Sequence, residues 1–153
     1  MLDTEAIFLS FKLALYTLAI MLPLGIWLAH RLVRMGPAKP WLEALLALPL
    51  VLPPTVLGYY LLVGFGDVSL FGYPLVFSFE GILLASLIVN LPFAVQPIQR
   101  ALESISPEIR EAAQVSGLSD WQIFRLIELP LAWRGVTSAA VMTFAHTLGE
   151  FGV

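Results

Sequence analysis

The sequence contains no cysteine, which excludes disulfides, thiolate metal sites and cysteine nucleophiles. Charge is also scarce: 12% of the 153 residues are charged, against about 25% in a typical soluble domain. The net charge of −3 has the wrong sign for binding nucleic acid, and no glycine-rich nucleotide-binding loop occurs. Apolar residues dominate instead, at 59% with a mean hydropathy of +0.88. We therefore expect lipid to be the solvent of this chain.

Uncharged runs that are long enough to cross a bilayer recur along the chain, since a spanning helix needs about 20 apolar residues. We expect membrane spans at residues 7–29, 42–65, 81–99 and 135–153. The last run is shorter than the others, and the sequence ends inside it. A signal peptide is the alternative for the first run, but Asp3 and Glu5 stand where such a peptide has basic residues.

The positive charges are distributed unevenly between the loops. All lysines and arginines except Lys12 follow the first span or lie between the third and fourth spans; they are Arg31, Arg34, Lys39, Arg100, Arg110, Arg125 and Arg134. The amino-terminal tail and the segment 67–80 contain none. By the positive-inside rule, the two basic segments are cytoplasmic and the amino terminus is outside.

Prolines interrupt the second and third spans, at Pro49, Pro53, Pro54, Pro92 and Pro97. Each proline removes a backbone donor and frees a carbonyl group, which neighbouring helices or water must satisfy. Broken helices with polar residues nearby suit a transport pathway. The alternatives are ordinary kinks that pack against other helices, and a membrane anchor that transports nothing.

Six residues are candidates for the pathway: Pro53, Pro54, Thr55, Asn90, His146 and Glu150. A carboxylate inside the membrane is a functional candidate by default, although Glu150 at the outer end of its span could simply be solvated. His146 precedes it by one helical turn, so the two side chains could form a hydrogen bond. A single His–Glu pair predicts neither a metal site nor acid–base catalysis.

Two short helices are predicted within residues 103–133, between the third and fourth spans. Ser106, Pro107 and Glu108 form a typical helix start. Gly117 can end that helix in the left-handed conformation. Residues 119–122, Ser-Asp-Trp-Gln, fit a capping box for a second helix that Pro130 bounds. A DNA-binding helix-turn-helix is the alternative, but the segment has more acidic than basic residues and offers phosphates no basic face.

This segment resembles the EAA loop of ABC importer permeases. Its pattern, Glu-Ala-Ala, three residues, Gly, nine residues, Ile, any residue, Leu-Pro, is matched by Glu111, Ala112, Ala113, Gly117, Ile127, Leu129 and Pro130. Two further segments, residues 48–62 and 144–152, are similar to the molybdate permease subunits of that family. The resemblance implies an all-α, polytopic membrane protein of the type I ABC importer permease kind, in which the loop couples to an ATP-binding subunit. Ala112 and Ala113 would leave a low surface there, with Arg110 and Glu111 as charged contacts at its rim.

The resemblance also implies a cellular location and a set of partners. We expect a multi-pass protein of the bacterial inner membrane, a homodimer in lipid, without cofactor or catalytic residues of its own. Its partners would be the ATPase and an extracytoplasmic oxyanion-binding protein that docks at residues 67–80. Members of the family continue past the Gly-Glu-Phe-Gly segment, so we expect this chain to be truncated and unable to transport alone. Sulfate or tungstate permeases are the alternatives within the family, and a fragment of a secondary transporter or channel is the alternative outside it.

Overall fold

The computed structural model describes residues 4–66, 69–70 and 73–151. The elements in chain order are α1 (Thr4–Val33), α2 (Lys39–Val51), α3 (Pro54–Gly66), β1 (Ser69–Leu70), β2 (Tyr73–Pro74), α4 (Phe79–Glu103), α5 (Pro107–Val115), α6 (Asp120–Ile123), a π-helical turn (Phe124–Glu128), α7 (Leu129–Leu131) and α8 (Trp133–Phe151). The strands form one two-residue antiparallel pair. All other secondary structure in the described ranges is helical, which confirms the all-α prediction.

Two helices of the described part are long and apolar enough to cross a membrane, namely α1 and α4. The pair α2–α3 makes a third crossing if it is counted as one span, although its two helices meet at an angle of 103°. In α3 no described residue is buried, so this apolar helix lies on the outside of the bundle. The membrane location that the composition predicts therefore agrees with the length and apolar surface of these helices.

Helices α1, α4 and α8 pack together as the body of the molecule. Thr17 Oγ1 of α1 lies 3.0 Å from Ser86 Oγ of α4, and Gly25 lies against Ala94 eight residues further along each helix. The constant offset means that α1 and α4 run in the same direction, so the chain returns between them through α2–α3. The buried apolar residues come from all three helices, from α2 and from the turn between α7 and α8; they are Ala29, Leu32, Leu46, Val95, Ile98, Leu102, Ala132, Val136 and Ala139.

Prolines break the second span but not the third. Leu52 adopts an extended conformation, with φ −76° and ψ 134°, because a residue before proline avoids the helical region. The adjacent Pro53 and Pro54 therefore separate α2 from α3. The prediction that Pro49, Pro92 and Pro97 also interrupt their spans was wrong, since each lies inside a continuous helix. A single proline costs a helix one hydrogen bond, which packing neighbours in a membrane bundle can offset.

Candidate functional site

The segment between α4 and α8, residues 104–132, is here called the two-helix loop. Its first helix, α5, begins as predicted, with Ser106 extended at the N-cap position and Pro107 as the first helical residue. The Ser106 hydroxyl caps no backbone amide. A hydrogen bond from this hydroxyl to the Glu108 carboxylate, aided by the Glu108 backbone amide, lowers the pKa of Glu108 below its ordinary value.

Helix α5 ends in a Schellman motif at Gly117. The Leu118 amide donates to the Ala113 carbonyl over 3.2 Å, and the Gly117 amide donates to the Gln114 carbonyl over 2.9 Å. Gly117 has a φ of 83°, the left-handed conformation that glycine adopts without steric cost. The predicted helix end is confirmed, and Gly117 sets the direction in which the chain leaves α5.

A capping box starts the second helix of the loop. The Gln122 amide donates to Ser119 Oγ, and the Ser119 amide donates to Gln122 Oε1 over 2.8 Å. This confirms the predicted start at residues 119–122. The predicted boundary at Pro130 is confirmed to within one residue, because the helical structure ends at Leu131.

A π-helical turn just before Pro130 allows the helical structure to include this proline. The Leu129 amide donates to the Phe124 carbonyl, five residues back, so the turn is wider than an α-helical one. In a regular α-helix, the proline ring would clash with the carbonyl group four residues earlier. The wider turn gives the ring room, and the helix passes through Pro130 without breaking.

The residues of the EAA pattern divide between two faces of the loop. Glu111 and Ala112 are exposed, together with Val115, whose exposed fraction is 90%. Ala113 is buried, so the prediction that both alanines share the exposed surface was wrong for this residue. In a helix, positions 111, 112 and 115 lie on one face and position 113 lies on the opposite one. Further along the loop, Ile127 and Leu129 are half-buried and Pro130 is exposed.

A buried carboxylate joins the two-helix loop to α1. Glu128 is 2% exposed and accepts hydrogen bonds on Oε1 from Nε of Arg110, at 2.7 Å, and from Nη2 of the same residue. Its Oε2 accepts from Arg34 Nη2 at 3.4 Å and lies 3.8 Å from His30 Nδ1. The same Arg34 reaches Asp120 Oδ2 over 3.8 Å. The prediction that Arg110 lies at a docking rim was therefore wrong, since its guanidinium turns inward.

The position of Glu128 after two apolar residues could have indicated that it is buried and paired, although it is not a fixed residue of the EAA pattern. Ile123 and Phe124 are buried, and Glu128 follows Phe124 on the same helical face. A carboxylate on a buried apolar face needs a cationic partner. This signal predicts that Glu128 is paired, but it does not indicate which of the loop and α1 arginines pair with it.

A second polar network joins α2 to α4 near the same end of the bundle. Lys39 Nζ donates to Glu103 Oε1 over 2.5 Å and lies 3.7 Å from Glu43 Oε1. The Gln99 amide donates to both carboxylates, at 2.5 Å to Glu43 and 2.9 Å to Glu103. Beside this network lies an open cavity of about 590 Å³ that Arg100 and Gln96 also line. The two basic segments of the sequence thus lie at one end of the bundle.

The six candidate pathway residues are not gathered into one site. Pro53, Pro54 and Thr55 are exposed at the break between α2 and α3. Asn90 is fully buried and donates to the Ser86 carbonyl over 2.9 Å, so it belongs to the packing of α4. His146 is half-buried, and its ring centroid lies 4.2 Å from that of Phe93. Glu150 lies in α8, but its side chain lies outside the part of the chain that the structure describes. The His146–Glu150 hydrogen bond therefore stays a prediction.

Comparison with known proteins places these features in a family. The sequence pattern of one protein family, the binding-protein-dependent transport system inner membrane component, matches residues 21–153. The molybdenum transport system permease protein ModB of Azotobacter vinelandii is 42% identical, over 99% of this chain and 71% of that protein. ModB of Escherichia coli K12 is 39% identical over 98% and 69%. The molybdate/tungstate transport system permease protein WtpB of Thermococcus kodakarensis is 33% identical over 97% and 58%.

These relatives are transport permeases rather than enzymes, and they match along nearly the whole chain, including both helices of the two-helix loop. The apolar α1 and α4 agree with the membrane location in the family's description. The chain therefore belongs to the family of binding-protein-dependent transport system inner membrane components.

Proposed function

We propose that this chain is the permease subunit of an ATP-driven molybdate importer. The observation that carries the proposal is the two-helix loop: a helix ended by left-handed Gly117, a capping box at Ser119, and the complete EAA spacing. Such a loop suits docking to an ATPase, and the molybdenum permeases named above support molybdate as the cargo. Sulfate and tungstate are the alternative cargoes within the family.

The proposed contact with the ATP-binding subunit is the coupling face, defined as Glu111, Ala112 and Val115. These residues are exposed on one side of α5, and the small Ala112 lets a partner approach closely. Val115 and Trp121 leave apolar surface in water, with exposed fractions of 90% and 63%, which is typical of an interaction surface. Ala113, Ile127 and Leu129 have another role in this proposal, since their buried or half-buried side chains seat the loop on the membrane helices. Gly117 orients the loop, and Pro130 lies in its last helical turn.

The remaining partners follow from the membrane setting. ATP hydrolysis takes place on the partner, because the sequence has no glycine-rich loop for phosphates. The proposed homodimer would use the apolar and exposed surface of α3, and lipid would cover whatever part of that surface the second copy leaves free. An extracytoplasmic oxyanion-binding protein docks at residues 67–80, on the opposite side from the coupling face. The proposed spans are 7–29, 42–65, 81–99 and 135–153. Of the candidate pathway residues, Pro53, Pro54 and Thr55 lie at the break in the second span, and Asn90 and His146 lie within the bundle, while the role of Glu150 stays a prediction.

The proposed orientation puts the amino terminus outside the inner membrane and the two-helix loop in the cytoplasm. The ion pairs of Arg34 with Asp120 and of Lys39 with Glu103 support it, because they bring both basic segments to one end. Since the sequence has no cysteine, single cysteines report cleanly on the side of the membrane. We expect Ser69→Cys, but not Gln114→Cys, to react with an impermeant thiol reagent added to intact cells. The reverse labelling would contradict the orientation.

The function is tested by uptake of radiolabelled molybdate into proteoliposomes that hold the permease and its ATP-binding subunit. We expect uptake to require ATP and the oxyanion-binding protein, tungstate to compete at concentrations similar to molybdate, and a hundredfold excess of sulfate to compete weakly. Uptake driven by an ion gradient without ATP would instead identify a secondary transporter. Equal competition by sulfate would make the chain a sulfate permease.

A further inference from the structure

Glu128 receives its partners from two different parts of the chain, one on each carboxylate oxygen. Oε1 binds Arg110 of α5, and Oε2 binds Arg34 at the carboxyl end of α1, with His30 one turn earlier. The carboxylate therefore bridges the first helix of the loop and a helix of the membrane bundle. A peptide connection does not join these two elements directly, because α2, α3 and α4 lie between them in the chain.

Among the described residues, the Arg110–Glu128 pair ties α5 to the second half of the two-helix loop through side-chain hydrogen bonds. Ala113 is the one buried residue of this nine-residue helix, all of which is described. The helix that carries the coupling face is thus held by one small apolar side chain, by its connections to the chain, and by the Arg110–Glu128 pair. Both nitrogens of Arg110 donate to the same oxygen, Glu128 Oε1, so the pair ties α5 to the buried carboxylate by two charge-assisted hydrogen bonds.

Burial makes this attachment sensitive to the charge of Glu128. A carboxylate that is 2% exposed needs cationic partners to offset its loss of water, and Arg110 and Arg34 supply them. The π-helical turn Phe124–Glu128 adds a second constraint, since it puts Glu128 on the buried face behind Phe124 and His30, whose ring centroids lie 4.0 Å apart. A rotation of α5 that keeps the Arg110–Glu128 pair displaces the carboxylate, whose other oxygen is bonded to Arg34 at the end of α1.

We propose that Glu128 is a positioning residue that transmits movement of the coupling face to α1 through Arg110 on one side and Arg34 on the other. This inference rests on the proposed function, because it needs an ATPase that moves the two-helix loop. Glu128 touches neither ATP nor the oxyanion in this proposal. It keeps α5 and α1 moving as one body, so that closure of the ATPase changes the membrane pathway.

The test is the number of ATP molecules hydrolysed per molybdate taken up by the assembled transporter in proteoliposomes. Glu128→Gln keeps the shape of the side chain and removes its charge. We expect uptake to fall about tenfold while the ATPase subunit stays bound and ATP hydrolysis falls less than twofold, so that the ratio rises about fivefold or more. Arg110→Gln leaves Glu128 paired with Arg34 and serves as the second variant if Glu128→Gln does not assemble; it should raise the ratio in the same direction.

Matched controls come from the same loop. Glu108→Gln removes an exposed carboxylate from α5, and Arg125→Gln removes an exposed arginine from the π-helical turn; both should leave the ratio within twofold of wild type. A purely structural salt bridge would lower assembly, uptake and hydrolysis together. An unchanged ratio in Glu128→Gln and Arg110→Gln would therefore overturn the inference. Failure of the wild-type transporter to use ATP for uptake would overturn the proposed function itself, together with the inference.

Discussion

Gly117→Val is expected to reduce molybdate uptake by the assembled transporter about tenfold or more. Gly117 has a φ of 83°, and a left-handed conformation costs an ordinary L-residue about 1–2 kcal/mol, with β-branched residues at the unfavourable end. Because 1.4 kcal/mol is about a factor of ten in an equilibrium, the Schellman turn should become about tenfold less favourable relative to other conformations of the loop. The second helix of the loop would then leave α5 in another direction, and the coupling face would no longer meet the ATPase correctly.

The space around Gly117 makes this a clean test of conformation. A Cβ added at Gly117 meets nothing within 4 Å, so steric crowding by neighbours does not contribute. Gly117→Asn is the matched variant, since asparagine tolerates the left-handed conformation, and it should keep at least about half of the uptake. Equal uptake by the valine and asparagine variants would show that the turn does not orient the coupling face.

Glu111→Lys provides the contrast on the same helix. It reverses one exposed charge without changing the turn, so the loop should keep its structure while the ATPase binds more weakly in a salt-dependent way. Loss of uptake in Gly117→Val at every salt concentration, beside a salt-dependent loss in Glu111→Lys, would separate orientation of the loop from docking on its surface.

Local features of this protein could be predicted from the sequence, because short-range physical rules determine them. The left-handed end of α5, the capping box at Ser119 and the break before Pro53 each depend on residues within one helical turn of each other. The membrane class follows from composition, since uncharged runs of this length have no stable place in water. The same reasoning overstated the effect of Pro92 and Pro97, since α4 is continuous through both residues.

Features that depend on distant contacts could not be predicted in this way. The Glu128 bridge joins residues 94 positions apart in the case of Arg34, and several arginines compete as partners on sequence grounds. The orientation of Ala113 toward the bundle depends on how α5 rotates, which the Arg110–Glu128 pair restrains. The π-helical turn before Pro130 could not be predicted either, because such a turn has no distinct composition.

Gly135→Ala is expected to destabilise the packing of α8 on α4, although alanine is the better helix former. A Cβ at position 135 would lie 2.5 Å from the Ala101 Cβ and 2.6 Å from the Pro97 carbonyl oxygen. Both obstacles belong to the backbone or to a Cβ atom, so no side-chain rotation relieves them and the helices must separate. Small residues permit such close approach in membrane bundles, and overpacking costs about 1–3 kcal/mol.

Intrinsic helix propensity predicts the opposite sign, since alanine is more favourable than glycine by about 1 kcal/mol inside a helix. The measurements that decide between the two signs are the midpoint of thermal unfolding of the detergent-solubilised transporter and the yield of assembled complex. Gly149→Ala on the same helix is the control, because a Cβ there meets nothing within 4 Å, and it should keep or raise the midpoint. Gly135→Ala should lower the midpoint, and Gly135→Val should prevent assembly almost completely. A higher midpoint in Gly135→Ala would show that α8 and α4 do not approach as closely as this packing requires, and the bundle that positions the two-helix loop would need another arrangement.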